Sequence, residues 1–375
     1  MGRCYYITFD VPEGEESKYI SAVPTFLKAR YICSKFNGNL NVISLAPKKC
    51  MGFGKKQKNS YGTLKMLFSF GGRSRIGKRL DFILRKIYLF FFIKFVVKKD
   101  DKVLIYHSYT YTKFLSKIIN AKKILPVLQV EEIYGYNAVE DKPYLQDEIM
   151  CIKKFGKFIF VNDYIPLELG VDKEKCVVSY GVVDSDYKRF KKTSDKEKIH
   201  VLYAGTIEDK KRGAFFAALS ANYLPDNYVM HIAGFGSQDS LCELEKIIEE
   251  NNKEKDKCSI IYHGMLSGEK LNKLIDNCDI GISTNVLRTN FVNNTFPSKI
   301  MTYMTHNLHI VCGFAEAFAV SEISKEWHFF YNQDPESIAN AIKSVDISEK
   351  IDNSKLLEKI DNNLIGFFKK EGFIE

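Results

Sequence analysis

The sequence predicts an α/β protein with two doubly wound domains, and three observations support this prediction. Short runs rich in Val, Ile, Leu, Tyr and Phe alternate with longer segments of helical periodicity, which is typical of buried parallel strands joined by crossover helices. The chain of 375 residues is longer than one typical core requires. Its hydrophobic content of 45% is sufficient for two cores.

The first half is predicted to hold five strands, over 3–11, 39–46, 102–107, 124–130 and 158–161. Helices are predicted over 17–36 and 78–97, where apolar residues recur every three or four positions. The basic, glycine-dotted stretch 48–72 is predicted to be a long mobile loop.

In the second half, predicted strands and helices alternate more regularly. Strands are predicted over 199–204, 228–233, 259–262, 279–283 and 309–311, with helices over 211–221, 240–250, 269–278 and from Pro297. We therefore expect a first domain over 1–185, a polar linker over 186–198 and a second domain over 199–350. A final helix over 351–375 is expected to pack back across the first domain.

Charge is unevenly distributed along the chain. Residues 1–100 contain 20 Lys and Arg against 6 Asp and Glu, a balance of +14, whereas the remainder contains 35 against 40. The basic segment 71–79 precedes the apolar 80–97, and this combination favours an anionic membrane surface as a partner. A solvated helix face beside a buried one is the alternative. Nucleic acid is not expected, because no recognisable binding motif occurs.

The nine cysteines are scattered, without a Cys-x-x-Cys pair or zinc-finger spacing, so no metal site is expected. Such scattered thiols indicate a reducing compartment. The longest uncharged apolar run, 87–93, is too short to span a bilayer. We expect a cytoplasmic protein associated peripherally with the inner face of the plasma membrane.

The most informative segment is Pro297-Ser298-Lys299, between the predicted strands 279–283 and 309–311. Proline suits the first turn of a helix, because its missing N–H would be unpaired there. The helix N-terminus then offers free N–H groups and a positive dipole end beside a lysine, which favours an anion such as a diphosphate. A capped helix with a surface lysine is the alternative.

Glycines follow three of the predicted strands. Gly205 permits close approach of a ligand to the backbone, and Lys211 and Arg212 can reach phosphate oxygens; a basic surface turn is the alternative. Gly234 and Gly236 permit a tight turn after the second strand. His263 and Gly264 follow the third strand, where a base or ribose could bind. The carboxyl ends of parallel strands share one edge of a sheet, so these turns are expected to meet there.

Together these turns resemble the donor-binding half of the retaining GT-B glycosyltransferases of family 4, over 199–345. In the similar subgroup the helix reads Phe-Pro-Ser-Lys-x-x-Glu-Tyr, and here it reads 296–303 Phe-Pro-Ser-Lys-Ile-Met-Thr-Tyr. The resemblance implies two Rossmann-like domains that face a cleft, a nucleotide-diphosphate sugar as donor, retention of configuration, and neither a metal nor a cofactor.

The chain departs from the family pattern at three positions. Thr302 and Asn294 replace the two acids that the family uses to bind the ribose and the sugar. Both are neutral but can still hydrogen-bond hydroxyls. Thr206 stands where the family often has Arg. Binding of the phosphate charge would therefore depend more heavily on Lys211, Arg212 and Lys299.

In the first domain, His107 ends a predicted strand, where the resemblance implies a histidine that touches the sugar or its phosphate; a packed strand-end histidine is the alternative. Glu131 and Glu132 end the next strand. One of them could bind acceptor hydroxyls, or both could be solvated loop acids.

The sequence thus predicts a glycosyltransferase that passes a sugar to a lipid-linked or growing glycan in bacterial surface polysaccharide synthesis. His107, Lys211 and Arg212 are the predicted catalytic residues. A catalytically silent subunit that binds a sugar nucleotide or glycan for a partner enzyme is one alternative, and a sugar-nucleotide epimerase is another.

Overall fold

The computed structural model describes residues 2–15, 23–71, 74–122, 124–136, 140–184, 186–208, 212–254, 256–284 and 289–375. The chain packs as two compact units. The first contains Met1–Val182 with Asn294–Phe296 and Ile360–Glu375, and the second contains Val183–Asn293 with Pro297–Lys359. Because each unit has its own sheet and core, we describe them separately.

The first unit is built on an eight-stranded sheet in the order β3-β4-β2-β1-β5-β6-β7-β8. All neighbouring strands are parallel except β3 and β4. The strands are β1 (Cys4–Thr8), β2 (Leu40–Ser44), β3 (Lys56–Asn59), β4 (Gly62–Met66), β5 (Lys102–Tyr106), β6 (Val127–Val130), β7 (Lys157–Phe160) and β8 (Cys176–Val178). The helices are α1 (Val23–Cys33), α2 (Arg75–Phe91), α3 (Tyr109–Lys122), α4 (Leu145–Ile152) and α5 (Tyr164–Leu169).

The second unit is built on six parallel strands in the order β11-β10-β9-β12-β13-β14, which is a doubly wound order. Its strands are β9 (Ile199–Ile207), β10 (Tyr228–Gly236), β11 (Ser259–Tyr262), β12 (Ile280–Ser283), β13 (His309–Gly313) and β14 (His328–Phe330). Its helices are α6 (Gly213–Ser220), α7 (Gln238–Asn251), α8 (Gly268–Asp276), α9 (Thr289–Asn293), α10 (Ser298–Thr305), α11 (Glu316–Ala319) and α12 (Pro335–Lys343).

The prediction of a mobile loop over 48–72 is wrong, because β3 and β4 form a hairpin within this range. Leu64 and Met66 of β4 are buried, whereas Lys56 and Lys58 of β3 are exposed. Lysines on an edge strand oppose pairing with other chains, so β3 resembles a polar loop in sequence. Gly62 is required at the turn, because its φ is +139° and a Cβ there would lie 2.1 Å from the Leu40 carbonyl oxygen.

Helix α2 continues as a π-helical turn over Phe92–Val96. Ser74 caps its start, with the hydroxyl accepting from the Gly77 N–H at 2.8 Å. Its buried face carries an ion pair, Asp81 with Arg85 at 3.2 Å. Arg85 also donates to the carbonyl oxygens of Leu45 at 2.6 Å and Ala46 at 3.1 Å. The side of α2 that docks on the sheet therefore contains a buried ion pair.

The C-terminal helix α13 (Ser354–Lys370) ends in the first unit, as predicted. Phe368 and Phe373 pack against Phe36 there, with ring centroids 5.2 and 6.2 Å away. Tyr31 donates a hydrogen bond to Asp361 at 2.6 Å.

The segment 186–198, predicted to be a linker, belongs to the second unit. The buried carboxylate of Asp276 accepts from the Tyr187 hydroxyl at 2.8 Å, the Arg189 Nε at 3.1 Å and the Phe190 N–H at 2.8 Å. His306 Nδ1 lies 2.8 Å from the same carboxylate. Asp276 thus connects this segment to the end of α10.

Candidate functional site

The glycine-bearing ends of β9, β10 and β11 meet at the carboxyl edge of the second sheet. Gly205 pairs with Gly234 in the parallel ladder, and the Gly234 N–H donates to the Gly264 carbonyl at 2.9 Å. A Cβ on Gly234 would lie 1.8 Å from the Gly205 carbonyl oxygen, so only glycine fits there. A Cβ on Gly236 would lie 2.2 Å from the Ile207 carbonyl oxygen.

Lys299 is a cation that the structure places at this edge. Its Nζ lies 2.9 Å from the position that a Cβ on Gly205 would occupy. It also lies 3.8 Å from the centre of the Tyr203 ring, a cation–π distance that favours this position of the ammonium. The glycine turn, the lysine and the start of α10 therefore come together, as the sequence predicts.

Tyr303 orients α10, and the sequence analysis did not identify it. Its ring is fully buried and lies 2.5 Å from where a Cβ on Gly281 would project. Its hydroxyl accepts from the Ala204 N–H at 2.9 Å. The sequence did contain a signal, because Gly281 lies inside a predicted strand. A glycine inside a strand often marks close approach by another element.

Pro297 precedes α10 rather than occupying its first turn, which corrects the predicted position. It is the N-cap residue, with φ −70° and ψ 101°, and its carbonyl accepts from the Ile300 N–H at 2.9 Å. Ser298 and Thr302 are exposed, one turn apart on α10. The N–H groups of Ser298 and Lys299 are at the helix start, where a dipole favours an anion.

Arg212 forms an ion pair with an acid of the second unit in this structure. It caps α6 in a left-handed conformation, with φ 50°, which is uncommon for a residue other than glycine. Its guanidinium pairs with Glu243 on α7 at 2.8 Å. Lys211 lies outside the described residues. Thr206 donates to Glu208 at 3.1 Å.

His263 is the end of a chain of three histidines. His200 Nδ1 lies 2.9 Å from His231 Nε2, and His231 Nδ1 lies 2.9 Å from His263 Nε2. His200 Nε2 lies 3.0 Å from the Asp195 carbonyl oxygen. Burial and the two neighbouring imidazoles lower the pKa of His231 to about 3, and burial also lowers the pKa of His263.

Asn294, a predicted donor-binding residue, is buried and belongs to the first unit. In that unit the neighbouring Thr295 carbonyl accepts from the Asn162 amide at 2.9 Å. Phe296 packs beside the Tyr180 ring at 5.5 Å.

His107 is buried inside the first unit, so the expectation that it faces a ligand is not met. Its Nε2 lies 2.8 Å from Glu148 and its Nδ1 lies 2.8 Å from the Thr112 hydroxyl. Glu148 also accepts the N–H groups of Tyr134 and Gly135, at 3.0 and 2.6 Å. The alternative, a packed strand-end histidine, describes this residue. Through Glu148, His107 is connected to the segment that follows β6.

The predicted acceptor residues, Glu131 and Glu132, are half-buried at the end of β6. Glu131 accepts from Gln129 at 2.6 Å and lies 4.0 Å from the ammonium of the buried Lys28. Burial lowers the pKa of Lys28 to about 8. One of the two carboxylates is thus already engaged within the first unit.

A second surface is the exposed face of α2 and its π-helical extension, which we call the α2 apolar face. Its side chains follow at a spacing of three or four residues, and they are Ile76, Leu80, Ile83, Ile87, Phe91 and Phe95. Asp81 is the only acid between 75 and 99, and it is buried. The basic side chains include Lys86 and Lys94, which lie over the Phe82 and Phe90 rings at 4.0 and 5.4 Å. Every exposed charge of the segment 75–99 is therefore positive.

Within the described ranges, no helix combines the length and apolar character needed to cross a bilayer. The same part of the chain contains no group of three or more His, Cys, Asp or Glu side chains placed to hold a metal ion.

Comparison with known proteins gives structural likeness only. No protein family and no curated protein matches the chain. Among solved structures, an Escherichia coli trehalose-6-phosphate structure bound with UDP-2-fluoro glucose is similar at a TM-score of 0.69, with 11% identity over 99% of this chain and 98% of that one.

Two further solved structures are similar to this chain. A UDP-forming α,α-trehalose-phosphate synthase from Burkholderia xenovorans, in complex with glucose-6-phosphate, gives a TM-score of 0.65 at 11% identity over 99% of both chains. Anabaena HepE, in complex with UDP and glucose, gives 0.57 at 12% identity over 99% of this chain and 95% of that one. This chain has the two-domain GT-B fold. At these identities the likeness shows the fold alone.

Proposed function

We propose that the protein is a retaining glycosyltransferase that uses a nucleotide-diphosphate sugar. One observation carries this proposal: Lys299, the start of α10 and the glycine ends of β9 and β10 lie together at one sheet edge. Ligands of doubly wound sheets bind outside the carboxyl ends of the strands. A diphosphate carries the charge that a lysine and a helix N-terminus favour.

UDP is the nucleotide we propose for the donor. The E. coli and Anabaena structures contain UDP-2-fluoro glucose and UDP, and the Burkholderia enzyme forms UDP. These ligands belong to the similar proteins, and they support the choice of uridine here only through the shared fold.

Catalysis is proposed to be mainly electrostatic. As the sugar–phosphate bond breaks, negative charge accumulates on the departing diphosphate, and Lys299 with the N–H groups of α10 stabilises it. Lys211 and Arg212 are proposed to add to this stabilisation, for which Arg212 must leave Glu243. Retention and independence of metal ions follow from the family resemblance.

The acceptor is proposed to be a lipid-linked or growing glycan at the cytoplasmic side of a bacterial membrane. The α2 apolar face supports this proposal, because exposed apolar patches of this kind mark interaction sites. The exposed positive charges of the segment 75–99 complement anionic lipids. A surface polysaccharide is the proposed product.

A catalytically silent subunit is the second candidate, because Asn294 and Thr302 replace acids of the family pattern. Losing one charge-assisted hydrogen bond weakens binding by about 1–2 kcal/mol. Such a loss is compatible with activity, so we favour the enzyme.

The test is calorimetric titration with UDP, followed by an assay of UDP release from a panel of UDP-sugars with membrane extract. Lys299→Met is expected to weaken UDP binding about tenfold or more, as removal of a charge-assisted contact does. Lys343→Met, at an exposed position of α12, is the matched control. UDP binding that is unchanged in Lys299→Met refutes the site. Binding without turnover supports the silent subunit, and sugar conversion without an acceptor supports an epimerase.

The paired variant Lys211→Ala/Arg212→Ala is expected to lower turnover strongly and to leave the fold intact. Unchanged transfer by this variant refutes the role proposed for those two residues.

A further inference from the structure

The histidine chain crosses three neighbouring strands diagonally and ends at the proposed donor site. His200 lies near the start of β9, His231 in the middle of β10, and His263 directly after β11. Successive rings are 5.2 and 5.1 Å apart, with interplanar angles of 28°. His200 and His231 are buried and His263 is partly exposed.

The direction of the hydrogen bonds in the histidine chain is fixed at its buried end, His200. The Asp195 carbonyl can only accept, so His200 Nε2 must carry a hydrogen. In a neutral chain His200 Nδ1 then accepts from His231 Nε2–H, and His231 Nδ1 accepts from His263 Nε2–H. Each ring is thereby held in the same tautomer, because the partner of one nitrogen decides the state of the other.

This order leaves His263 Nδ1 as a hydrogen-bond acceptor. Among the described residues, it forms no hydrogen bond. His263 adjoins Gly264, whose carbonyl accepts from the Gly234 N–H, and Gly234 pairs with Gly205 beside Lys299. The acceptor is thus on the same sheet edge as the proposed diphosphate site.

We propose that the histidine chain makes His263 a fixed hydrogen-bond acceptor that selects a nucleobase with an imide N–H, such as uracil, over cytosine. This inference rests on the proposed function, because it assumes a nucleotide at this edge. The N3 of uracil donates a hydrogen bond, whereas the N3 of cytosine only accepts one. A hydroxyl would satisfy either tautomer, so a fixed acceptor matters most for a group that can only donate.

His231 is a positioning residue in this proposal, and glutamine can substitute for it. A glutamine amide offers N–H to His200 and a carbonyl oxygen to His263, so it preserves the direction of the chain. Leucine removes both contacts. The two variants therefore separate the hydrogen-bond order from the packing volume at this position.

The first experiment is NMR of protein labelled with 15N at histidine, in its free state and with UDP or CDP. At neutral pH we expect the Nε2–H tautomer at all three residues, and an upfield shift of His263 Nδ1 with UDP but not with CDP. The same pattern is expected in His231→Gln and not in His231→Leu. A hydrogen on His263 Nδ1 in the free wild-type protein overturns the inference.

The second experiment is calorimetry of UDP and CDP with each variant. We expect UDP to bind wild type about 5- to 10-fold more tightly than CDP, as one neutral hydrogen bond predicts. His263→Leu is expected to lose this ratio, whereas the control His328→Leu, on the far strand β14, keeps it. If UDP binds but the ratio is unchanged in His263→Leu, the inference is wrong and the proposed function stands. If no nucleoside diphosphate binds, both fail.

Discussion

Gly205 and Gly234 pair across neighbouring strands, yet an added methyl group would meet different obstacles at the two positions. At Gly205 it would meet the end of the Lys299 side chain at 2.9 Å, and at Gly234 it would meet a backbone carbonyl oxygen at 1.8 Å. A lysine side chain can move, whereas a carbonyl inside a sheet cannot. We therefore expect the first glycine to matter for binding and the second for the fold.

The two alanine variants are expected to separate these roles. Gly234→Ala is expected to destabilise the protein by about 3 kcal/mol or more, because overpacking forces backbone shifts. Gly205→Ala is expected to change stability little but to weaken UDP binding several-fold, because the methyl displaces the Lys299 ammonium. Urea unfolding and calorimetry measure both quantities. Equal losses of stability in the two variants would contradict this assignment.

Asp276→Asn is expected to destabilise the second unit and to release the segment 187–190. The fully buried carboxylate interacts with Tyr187, Arg189, Phe190 and His306, and breaking a buried ion pair costs about 3–5 kcal/mol. Urea unfolding reports the stability. Limited trypsin digestion reports the release, since this segment contains Lys188 and Arg189.

The control for that variant is Asp172→Asn, which removes an exposed carboxylate paired with Lys175 at 2.6 Å. It is expected to leave both stability and the digestion pattern unchanged. Equal digestion of Asp276→Asn and wild type would mean that the carboxylate does not hold the segment.

Stability is expected to fall on mild acidification because of His231. Its pKa is about 3 in the folded protein and near 6.5 when exposed, so between these values only the unfolded chain takes up the proton. The free energy of unfolding should therefore decrease as the pH falls below 6.5, by about 2 kcal/mol between pH 7 and pH 5 from this residue. His231→Gln does not titrate and should lose correspondingly less stability in urea unfolding at the two pH values. Identical losses in the two proteins would show that His231 does not contribute.

Binding to anionic vesicles is expected to depend on the α2 apolar face. Ile83→Ser/Ile87→Ser changes side chains that are 53% and 50% exposed, so the fold should persist. Vesicle affinity should fall about 10-fold or more, since burial of each isoleucine contributes on the order of 1 kcal/mol. Co-sedimentation with vesicles of phosphatidylglycerol and phosphatidylcholine measures this at low salt.

Val320→Ser/Ile347→Ser is the matched control for the vesicle experiment, with side chains 48% and 41% exposed in the second unit. It should bind like wild type, and high salt should weaken binding of both. If the wild-type protein does not bind vesicles at low salt, the membrane proposal is wrong. If the control variant loses as much vesicle affinity as the α2 variant, the α2 apolar face is not the membrane-binding surface.

Ten of the fourteen strands in the described ranges were predicted, because their buried Val, Ile, Leu and Phe runs carry the burial signal directly. The three-residue edge strands β8 and β14 were not predicted, because they are too short for such a run. The hairpin of β3 and β4 was not predicted either, because an edge strand with outward lysines has the composition of a loop. The meeting of Gly205, Gly234 and Gly264 followed from strand order alone, since parallel strands share one carboxyl edge.

Side-chain partners were harder to predict than strand positions. His107 fits a catalytic pattern in sequence, but Glu148, 41 positions away along the chain, makes it a buried partner. The histidine chain could have been suspected, because His200 and His231 interrupt apolar strands and buried polar groups need hydrogen-bond partners. Which groups pair, however, depends on strand register, which composition does not report.

The interrupted path of the chain through the first unit has a consequence for folding during synthesis. Phe368 and Phe373, which fill its core beside Phe36, leave the ribosome only after every residue of the second unit. Domains commonly fold in order from the N-terminus, but here we expect the N-terminal unit to be completed only when its last helix emerges. The second unit can mature first, and a nascent chain arrested near residue 350 would expose the unfilled hydrophobic surface around Phe36 to chaperones.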